Sequence, residues 1–342
     1  MTRGCMTCNG KDRSRPNLTA ILLAFLVLVL VCIASVLCGA RTFSFGAIIA
    51  DSDVREIVLT LRVPRVLFAV LVGAGLSIVG VCYQALFRNY LASPFTLGVS
   101  SGAALAASTA LVFGLTAGRF SVDVSVCAII GALASIALIV LISSVNRPTG
   151  KNSLLLVGIV FSFFCSSLLT LIQYVSDYSQ LFRVTRWMMG GIPAVGWDDL
   201  ILGAVCVLVN FVWLLRHERG LDLMLFGDDL ASVKGINVTI LTRTAFVLTS
   251  FLVGWVVAQC GVIGFVGIIV PAIARMIIGL RHKYLLSLSA LLGATLVVFC
   301  DLLGRMVIAP FEIPAGVFTS VIGGPIFILL MIRPSRMVDI CR

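Results

Sequence analysis

Long apolar segments constrain this sequence more than any other feature. They follow one another along the whole chain, and each is bounded by charged residues, proline or glycine. About 20 apolar residues span the hydrocarbon core of a bilayer, where every backbone polar group must be paired internally. The sequence therefore predicts an all-α fold, a polytopic membrane helical bundle of about ten transmembrane helices. The predicted segments are 18–40, 62–82, 96–113, 122–143, 153–174, 198–215, 240–258, 263–280, 284–304 and 314–332.

The composition supports a membrane protein. Hydrophobic residues make up 60% of the chain and charged residues 12%, against about 25% charged residues in soluble domains. The first apolar segment is longer than the apolar region of a signal peptide, so we interpret it as an uncleaved span. We expect one transmembrane domain, 18–333, between tails 1–17 and 334–342, located in the cell inner membrane as a multi-pass protein.

The distribution of basic residues predicts the topology. A net charge of +10 would suit a nucleic-acid-binding protein. The basic residues lie between the apolar segments, however, and most of the 25 fall on one side when ten spans alternate. The positive-inside rule then places both termini in the cytoplasm. We therefore predict a lipid bilayer as the surroundings and no nucleic acid as a partner.

Signatures of catalysis are lacking in the sequence. It contains no phosphate-binding G-x-x-x-x-G-K-[ST], and its two histidines lie in charged loops. A lone C-x-x-C at Cys5 and Cys8 is a weak metal signal without a second ligand pair. The sequence predicts no enzyme activity, no cofactor and no metal site. Any ATPase must be a separate subunit.

Basic residues on the predicted outer side suggest a docking surface. Arg62 and Arg65 flank Pro64, and three-residue spacing places both on one side of a helix. With Arg305 they would form an outer basic rim. Each could serve as an ordinary interfacial anchor, but basic residues outside run against the positive-inside trend. This pattern favours an acidic partner.

Two more charged positions lie inside predicted spans, where ionisable groups usually mark function. Asp301 and Arg305 are spaced i,i+4 and are expected to pair, either as a structural ion pair or in a functional role. Arg275 lies near the inner end of its span, and we interpret it as a topology anchor that reaches the headgroups.

Two connections are too long to be simple turns. The outer one, 175–197, combines Arg183 and Arg186 with Trp187, which is typical of an interfacial segment. The inner one, 216–239, contains short amphipathic pieces that we expect to be broken at glycines, and it is the best candidate for cytoplasmic docking. Those glycines are Gly220, Gly227 and Gly235.

Residues with hydroxyl groups form a polar stripe along the fifth predicted span. Ser162, Ser166 and Thr170 recur every four residues, followed by Tyr174. Such a stripe could line a translocation path or serve helix packing in the membrane, and both interpretations stay open.

Several sequence blocks in order resemble the permease family of ATP-binding cassette (ABC) importers for iron-siderophores, haem and vitamin B12. The blocks are L-R-V-P-R (61–65), F-R-N-Y-L-A-S-P-F-T-L-G-V-S-S-G-A-A-L (87–105), W-M-M-G-G (187–191), G-F-V-G-I-I-V-P-A-I-A-R (264–275), D-L-L-G-R (301–305) and E-I-P-A-G-V-F-T-S-V-I-G-G-P-I-F (312–327). The similarity runs from about residue 59 to 333. One departure is Ala272, where relatives commonly have histidine.

The resemblance implies a set of partners for a type II ABC importer subunit. These are a cytoplasmic pair of ATP-binding subunits, a periplasmic or lipid-anchored substrate-binding protein, and a second copy of the permease or a homologous permease. It also implies a cargo, most commonly an iron-siderophore, with haem or cobalamin as alternatives. An ion-coupled secondary transporter is the less favoured hypothesis, because no acidic residue lies near the predicted midplane.

The resemblance also implies roles for individual residues. Acidic groups of the binding protein would dock on Arg62, Arg65 and Arg305. The ATPase would dock on Gly227, Asp228, Asp229, Ala231, Lys234 and Gly235. The cytoplasmic gate would include Asn89, Leu91, Asn152 and Ser153.

Overall fold

The computed structural model describes residues 14–39, 42, 45–113, 124–145, 151–308 and 311–332, and every regular element in these ranges is helical. Cys5, Cys8 and most of both predicted tails lie outside the described residues. The helices are α1 (Ser14–Leu37), α2 (Phe45–Ala50), α3 (Ser52–Ile57), α4 (Val63–Phe87), α5 (Val99–Val112), α6 (Val124–Val145), α7 (Lys151–Val175), α8 (Tyr178–Met188), α9 (Trp197–Arg216), α10 (Glu218–Leu225), α11 (Asp228–Val233), α12 (Val238–Cys260), α13 (Val266–Ile278), α14 (His282–Met306) and α15 (Ala315–Ile332).

Each predicted apolar segment coincides with one apolar helix. Six helices are long and apolar enough to cross a bilayer, and four more are shorter. The all-helical membrane fold is confirmed, whereas the crossing of all ten segments and the cytoplasmic location of the termini stay predictions. The six longer spans are Asn17–Leu37, Ser52–Phe87, Leu155–Val175, Trp197–Arg216, Val238–Cys260 and His282–Met306.

The second span begins earlier than the sequence suggests. A π-helical turn, Val58–Arg62, joins α3 to α4 without a break. Continuous helix therefore extends over 36 residues, Ser52–Phe87, rather than the predicted 62–82. The charged residues of α3 form the polar first part of this helix, and the helix does not begin only after them.

Helix α4 lies at the centre of the bundle. It packs against α9, α12, α13 and α14, and most of its side chains are buried. Glycines allow its backbone to touch its neighbours: a Cβ on Gly73 would lie 2.2 Å from the Gly293 carbonyl oxygen, and one on Gly80 would lie 2.0 Å from that of Gly267. Such small-residue contacts replace the hydrophobic effect as the source of tight helix packing in membranes.

Helices α7 and α9 have a different environment. Only 17% of the most apolar window of α7 and 28% of that of α9 are buried. Apolar side chains that are not buried within a membrane protein face lipid or another chain. These two helices therefore lie at the edge of the bundle formed by this chain.

Candidate functional site

Helix α4 brings a charged residue to each of its ends, and we use these residues to name the ends of the bundle. The Arg65 end comprises Arg62, Arg65, Asp301, Arg305 and Glu312. The Arg88 end comprises Arg88, the segment after it up to Leu97, and the loop that contains α10 and α11, which we call the docking loop.

Two arginines and two acids form one network at the Arg65 end. Arg65 Nη2 lies 2.9 Å from Asp301 Oδ1, and Arg65 Nη1 lies 3.0 Å from Glu312 Oε2. The predicted i,i+4 pair is confirmed, with Arg305 Nε 3.0 Å from Asp301 Oδ2. Asp301 and Arg305 have only 3% and 6% of their side chains exposed. Charges this deeply buried are stable only when they are paired.

Arg62 and Arg305 hold the end of α1. Arg62 Nη1 donates to the carbonyl oxygens of Val36 (2.8 Å) and Leu37 (3.1 Å), and Arg305 Nη2 donates to that of Ser35 (3.1 Å). The last carbonyls of a helix have no partner within the helix, so these guanidinium groups complete its hydrogen bonding.

The structure therefore brings Arg62, Arg65 and Arg305 together, as the sequence predicts, but it does not expose them equally. Arg62 and Arg65 are partly exposed, whereas Arg305 is buried. In this conformation a partner can reach the first two residues but not the third. Docking of an acidic partner on this rim stays a prediction.

A cavity of about 410 Å³ opens next to the network. Its polar lining consists of Arg65, Arg183, Arg186, Gln259 and Glu312. Its apolar lining is contributed mainly by the W-M-M-G-G block with the two residues after it, and by the segment before α15. The lining includes Trp187, Ile192, Pro193, Ile313 and Pro314. We call it the arginine cavity. The sequence placed two of its arginines in an interfacial segment but gave no sign that a cavity would form there.

Glycines allow close packing of the chain segments next to the arginine cavity. Gly191 N donates to the Cys260 carbonyl oxygen and Gly316 N to that of Gly190, both at 2.8 Å. A Cβ on Gly316 would lie 2.3 Å from the Met189 carbonyl oxygen. Gly190 has a φ of 68°, which side-chain-bearing residues rarely adopt. Three chain segments next to the cavity thus meet backbone to backbone, which limits their relative movement.

Two of the predicted gate residues, Asn89 and Leu91, lie in a tight turn at the Arg88 end, which we call the gate turn (88–91). Arg88 ends α4 in the left-handed conformation, with a φ of 51°. The Asn89 side chain then accepts a hydrogen bond from Leu91 N at 2.9 Å. Gln84 donates to the Tyr90 carbonyl oxygen at 2.9 Å. The turn leaves Leu91 41% exposed, and the role of these residues in a gate stays a prediction.

Arg275 is buried within the bundle, which contradicts its interpretation as a topology anchor that extends to the headgroups. Its side chain is buried, its Nε donates to the Pro271 carbonyl oxygen (3.2 Å), and its guanidinium lies 4.6 Å from the centre of the Tyr90 ring. A cation over an aromatic face is attracted by the ring quadrupole. Arg275 therefore links α13 to the gate turn.

The docking loop is two short helices separated by a glycine. Gly227 and Gly235 adopt φ values of 128° and 84° and end α10 and α11, as predicted. Gly220 does not break the chain, contrary to expectation: it is buried inside α10, where a Cβ would lie 2.9 Å from Leu241. Ala231 is buried, and Asp229 and Lys234 are exposed.

Two polar contacts connect the docking loop to the bundle. Asp228 Oδ1 lies 3.9 Å from Arg88 Nη2. Asp222 Oδ1 lies 2.6 Å from His282 Nδ1 and accepts from His282 N at 3.0 Å. Sequence reasoning missed Arg88, Asp222 and His282 as contact residues. The partners are far apart in the chain, so no spacing pattern connects them.

Most of the predicted polar stripe on α7 faces away from the core, whereas Ser162 is partly buried next to Phe95. Ser162 Oγ donates to the Gly158 carbonyl oxygen (2.9 Å) and Thr170 Oγ1 to that of Ser166 (3.0 Å). Ser166, Thr170 and Tyr174 are exposed. Path lining and packing against another chain both stay open for these residues. Asn152 and Ser153 lie in the first turn of α7, and their side chains lie outside what the structure describes.

Comparison with known proteins gives consistent matches over almost the whole chain. The family model described as the FecCD transport family matches residues 25–333. The hemin transport system permease protein HmuU of Yersinia pestis is 38% identical over 95% of this chain and 98% of its own length. The vitamin B12 import system permease protein BtuC of Shigella boydii is 32% identical over 96% and 99%.

A solved structure supports the same relationship. A protein described as a metal-chelate type ABC transporter, in an inward-facing conformation, superposes with a TM-score of 0.81 at 30% sequence identity. The match covers 93% of this chain and 99% of the solved one. The arrangement of helices described above is therefore shared with a transporter of known structure.

Proposed function

The chain belongs to the FecCD transport family, and from that premise we propose that it passes an iron-siderophore from a substrate-binding protein to the cytoplasm. It is the permease subunit of a type II ABC importer and a multi-pass membrane protein. Permeases of this family are not catalytic, and a separate subunit hydrolyses ATP. The importer needs a second permease, either another copy of this chain or a homologous one.

One observation carries the proposed mechanism: the gate turn and the docking loop meet at the same end of α4. Arg88 belongs to the gate turn, and its guanidinium contacts Asp228 of the docking loop. Asp222 attaches the same loop to the start of α14 through His282. A displacement of the docking loop by the ATPase pair would therefore reach both the gate and a central helix of the bundle. In this proposal the Arg88 end is cytoplasmic.

The Arg65 end would then face the periplasmic or lipid-anchored binding protein. Arg62 and Arg65 are partly exposed there and can receive acidic groups. Arg305 is buried against Asp301 and Ser35, so its role is to hold the network in place and not to contact the partner. Arg65 is paired with two carboxylates, and Glu312 is the more exposed of them. An acidic docking partner would therefore compete with Glu312 for Arg65.

The translocation path would run beside α7, between this chain and the second permease. The exposed stripe of Ser166 and Thr170 supports this placement, because polar groups facing lipid would be costly. The Thr170 hydroxyl is already bonded to the Ser166 carbonyl oxygen, which leaves a mildly polar surface that does not hold cargo strongly. The path would lead towards Leu91 and the start of α7.

Iron-siderophore is the cargo that we propose on family frequency, with haem and cobalamin as the alternatives. The names of two relatives, a hemin transport permease and a vitamin B12 import permease, support the alternatives. All three are metal chelates, in agreement with the description of the solved transporter.

The test is reconstitution of the importer. The chain is co-purified with the ATPase and binding protein encoded beside it, and ATP hydrolysis and uptake are measured in proteoliposomes. The binding protein is supplied empty or loaded with a ferric siderophore, haem or cobalamin. We expect one loaded form to stimulate both activities, and a variant ATPase that binds but does not hydrolyse ATP serves as the control.

Two outcomes would change the proposal. Stimulation by haem or cobalamin alone would replace the iron-siderophore and keep the mechanism. Uptake that persists with the inactive ATPase and depends on an ion gradient would replace the mechanism with that of a secondary transporter.

A further inference from the structure

The arginine cavity contains more positive charge than the structure neutralises. Arg65 is engaged by Asp301 and Glu312. Arg183 and Arg186 also line the cavity, are exposed, and have no ion-pair partner within the part of the chain that the structure describes. The only acidic side chain of the lining, Glu312, is already used by Arg65. The cavity therefore attracts anions.

Helix α8 presents these two charges together. Their three-residue separation places Arg183 and Arg186 on one side of the helix, and Trp187 follows in the same lining. A capping box at Asp177 and Gln180 fixes the start of α8, and Gln180 also donates to the Val112 carbonyl oxygen at 3.0 Å. The helix that bears the two charges is thus attached at its first turn.

The size and walls of the cavity suit a small molecule. A volume of about 410 Å³ lies within the usual range of ligand sites, roughly 300–1,000 Å³. Apolar walls around Trp187 and the two proline-containing segments would contact the body of a ligand, and Gln259 adds one neutral polar group. The backbone contacts at Gly190 and Gly316 keep these walls in place.

We propose that the arginine cavity is an entry site for an anionic metal chelate, whose carboxylate or similar acidic oxygens are met by Arg183 and Arg186. Guanidinium groups bind such oxygens through paired, charge-assisted hydrogen bonds. Trp187 and the other apolar residues beside the two arginines suit a chelate with an apolar body better than an acidic loop of a protein. The inference rests on the proposed importer function and narrows the cargo to chelates that carry negative charge.

The test compares ligands that differ in charge and only slightly in shape. The purified chain in lipid nanodiscs is titrated with haem, which bears two carboxylates, and with haem dimethyl ester, in which both are blocked. Quenching of tryptophan fluorescence reports binding, empty nanodiscs give the background, and ferric citrate is added as a competing anionic chelate. The variants are R183Q/R186Q and, as a matched control, R55Q, which removes an exposed arginine of α3 outside the cavity lining.

For the unchanged chain we expect tighter binding of haem than of its ester, and displacement of haem by ferric citrate. In R183Q/R186Q the affinity for haem should fall about tenfold or more, as expected for the loss of charge-assisted hydrogen bonds. Affinity for the ester should change little, and R55Q should behave like the unchanged chain.

Three results would overturn the inference. The first is equal affinity of the unchanged chain for haem and its ester. The second is an equal loss of affinity for both ligands in R183Q/R186Q. The third is a loss of haem affinity in R55Q as large as that in R183Q/R186Q. The reconstituted importer separates this question from the proposed function. ATP hydrolysis stimulated by a loaded binding protein, together with equal binding of haem and ester, would reject the entry site alone. Absence of any associated ATPase would reject the importer, whatever the cavity binds.

Discussion

The two ends of the bundle are stabilised in different ways. At the Arg65 end, nearly fully buried charges meet at about 3 Å, and three segments touch backbone to backbone. At the Arg88 end, Arg88 and Asp228 are 42% and 36% exposed and 3.9 Å apart, and the space around Gly235 is open. One end is closely packed around buried charges, whereas the other combines the Asp222–His282 contact with an exposed ion pair that is easily broken and remade.

This difference corresponds to the work of an importer. A docking platform and an entry site need fixed geometry, because a displaced charge binds its partner poorly. A loop that transmits ATP-driven movement needs contacts of low energy, since an exposed ion pair contributes only about 0–1 kcal/mol. Four variants test the comparison.

The largest effect is expected for Asp301→Ala. It leaves Arg65 and Arg305 without their shared buried carboxylate, and removal of one partner from a buried pair costs about 3–5 kcal/mol. We expect a strongly lowered melting temperature and little monodisperse protein after detergent extraction. Asp301→Asn keeps the shape and removes the charge. If that variant were as stable as the unchanged chain, charge pairing would not be what stabilises this end.

Gly316→Ala should have the next largest effect. The added methyl would lie 2.3 Å from the Met189 carbonyl oxygen, and forcing extra volume into such a contact costs about 1–3 kcal/mol. The control at the other end is Gly235→Ala, where nothing lies within 4 Å and only the φ of 84° opposes the side chain, at about 1 kcal/mol. Thermal unfolding checks which of the two variants is less stable. Equal stability would mean that the two ends do not differ in how closely they are packed.

Arg88→Gln should affect coupling more than stability. It removes an exposed ion pair, so unfolding should shift by less than about 1 kcal/mol. We expect the reconstituted importer to hydrolyse ATP with less cargo moved per ATP, because the docking loop loses its contact with the gate turn. Lys283→Gln, an exposed cation at the same end, serves as the control. Normal uptake per ATP in Arg88→Gln would dismiss this contact as the route of coupling.

Glu312→Gln should have the smallest effect on stability. Its carboxylate is partly exposed, and Arg65 keeps Asp301 as a partner, so we expect less than about 1 kcal/mol. The arginine cavity becomes more positive, and haem should bind somewhat more tightly than to the unchanged chain. Weaker haem binding in this variant would mean that Glu312 itself contacts the ligand.

Sequence reasoning worked where the signal is local. The apolar segments coincide with helices, and the i,i+4 pair of Asp301 and Arg305 is present. Reasoning failed where a side chain meets a partner far along the chain. Arg275 was expected in the headgroups but packs over Tyr90. Gly220 was expected to break a helix but lies within one. A glycine is needed there because Leu241 of α12 leaves no room for a side chain.

The sequence by itself determined that this chain is a bundle of apolar helices, because an apolar segment in a bilayer must satisfy its own backbone hydrogen bonds. The order of its blocks also determined the family. Only the tertiary structure decided that Arg65 pairs with Asp301 and Glu312. It also decided that Arg305 is buried while Arg62 and Arg65 are partly exposed, and that Arg183 and Arg186 line a cavity. Those outcomes depend on how separate helices pack, and packing brings together residues that no spacing in the sequence connects.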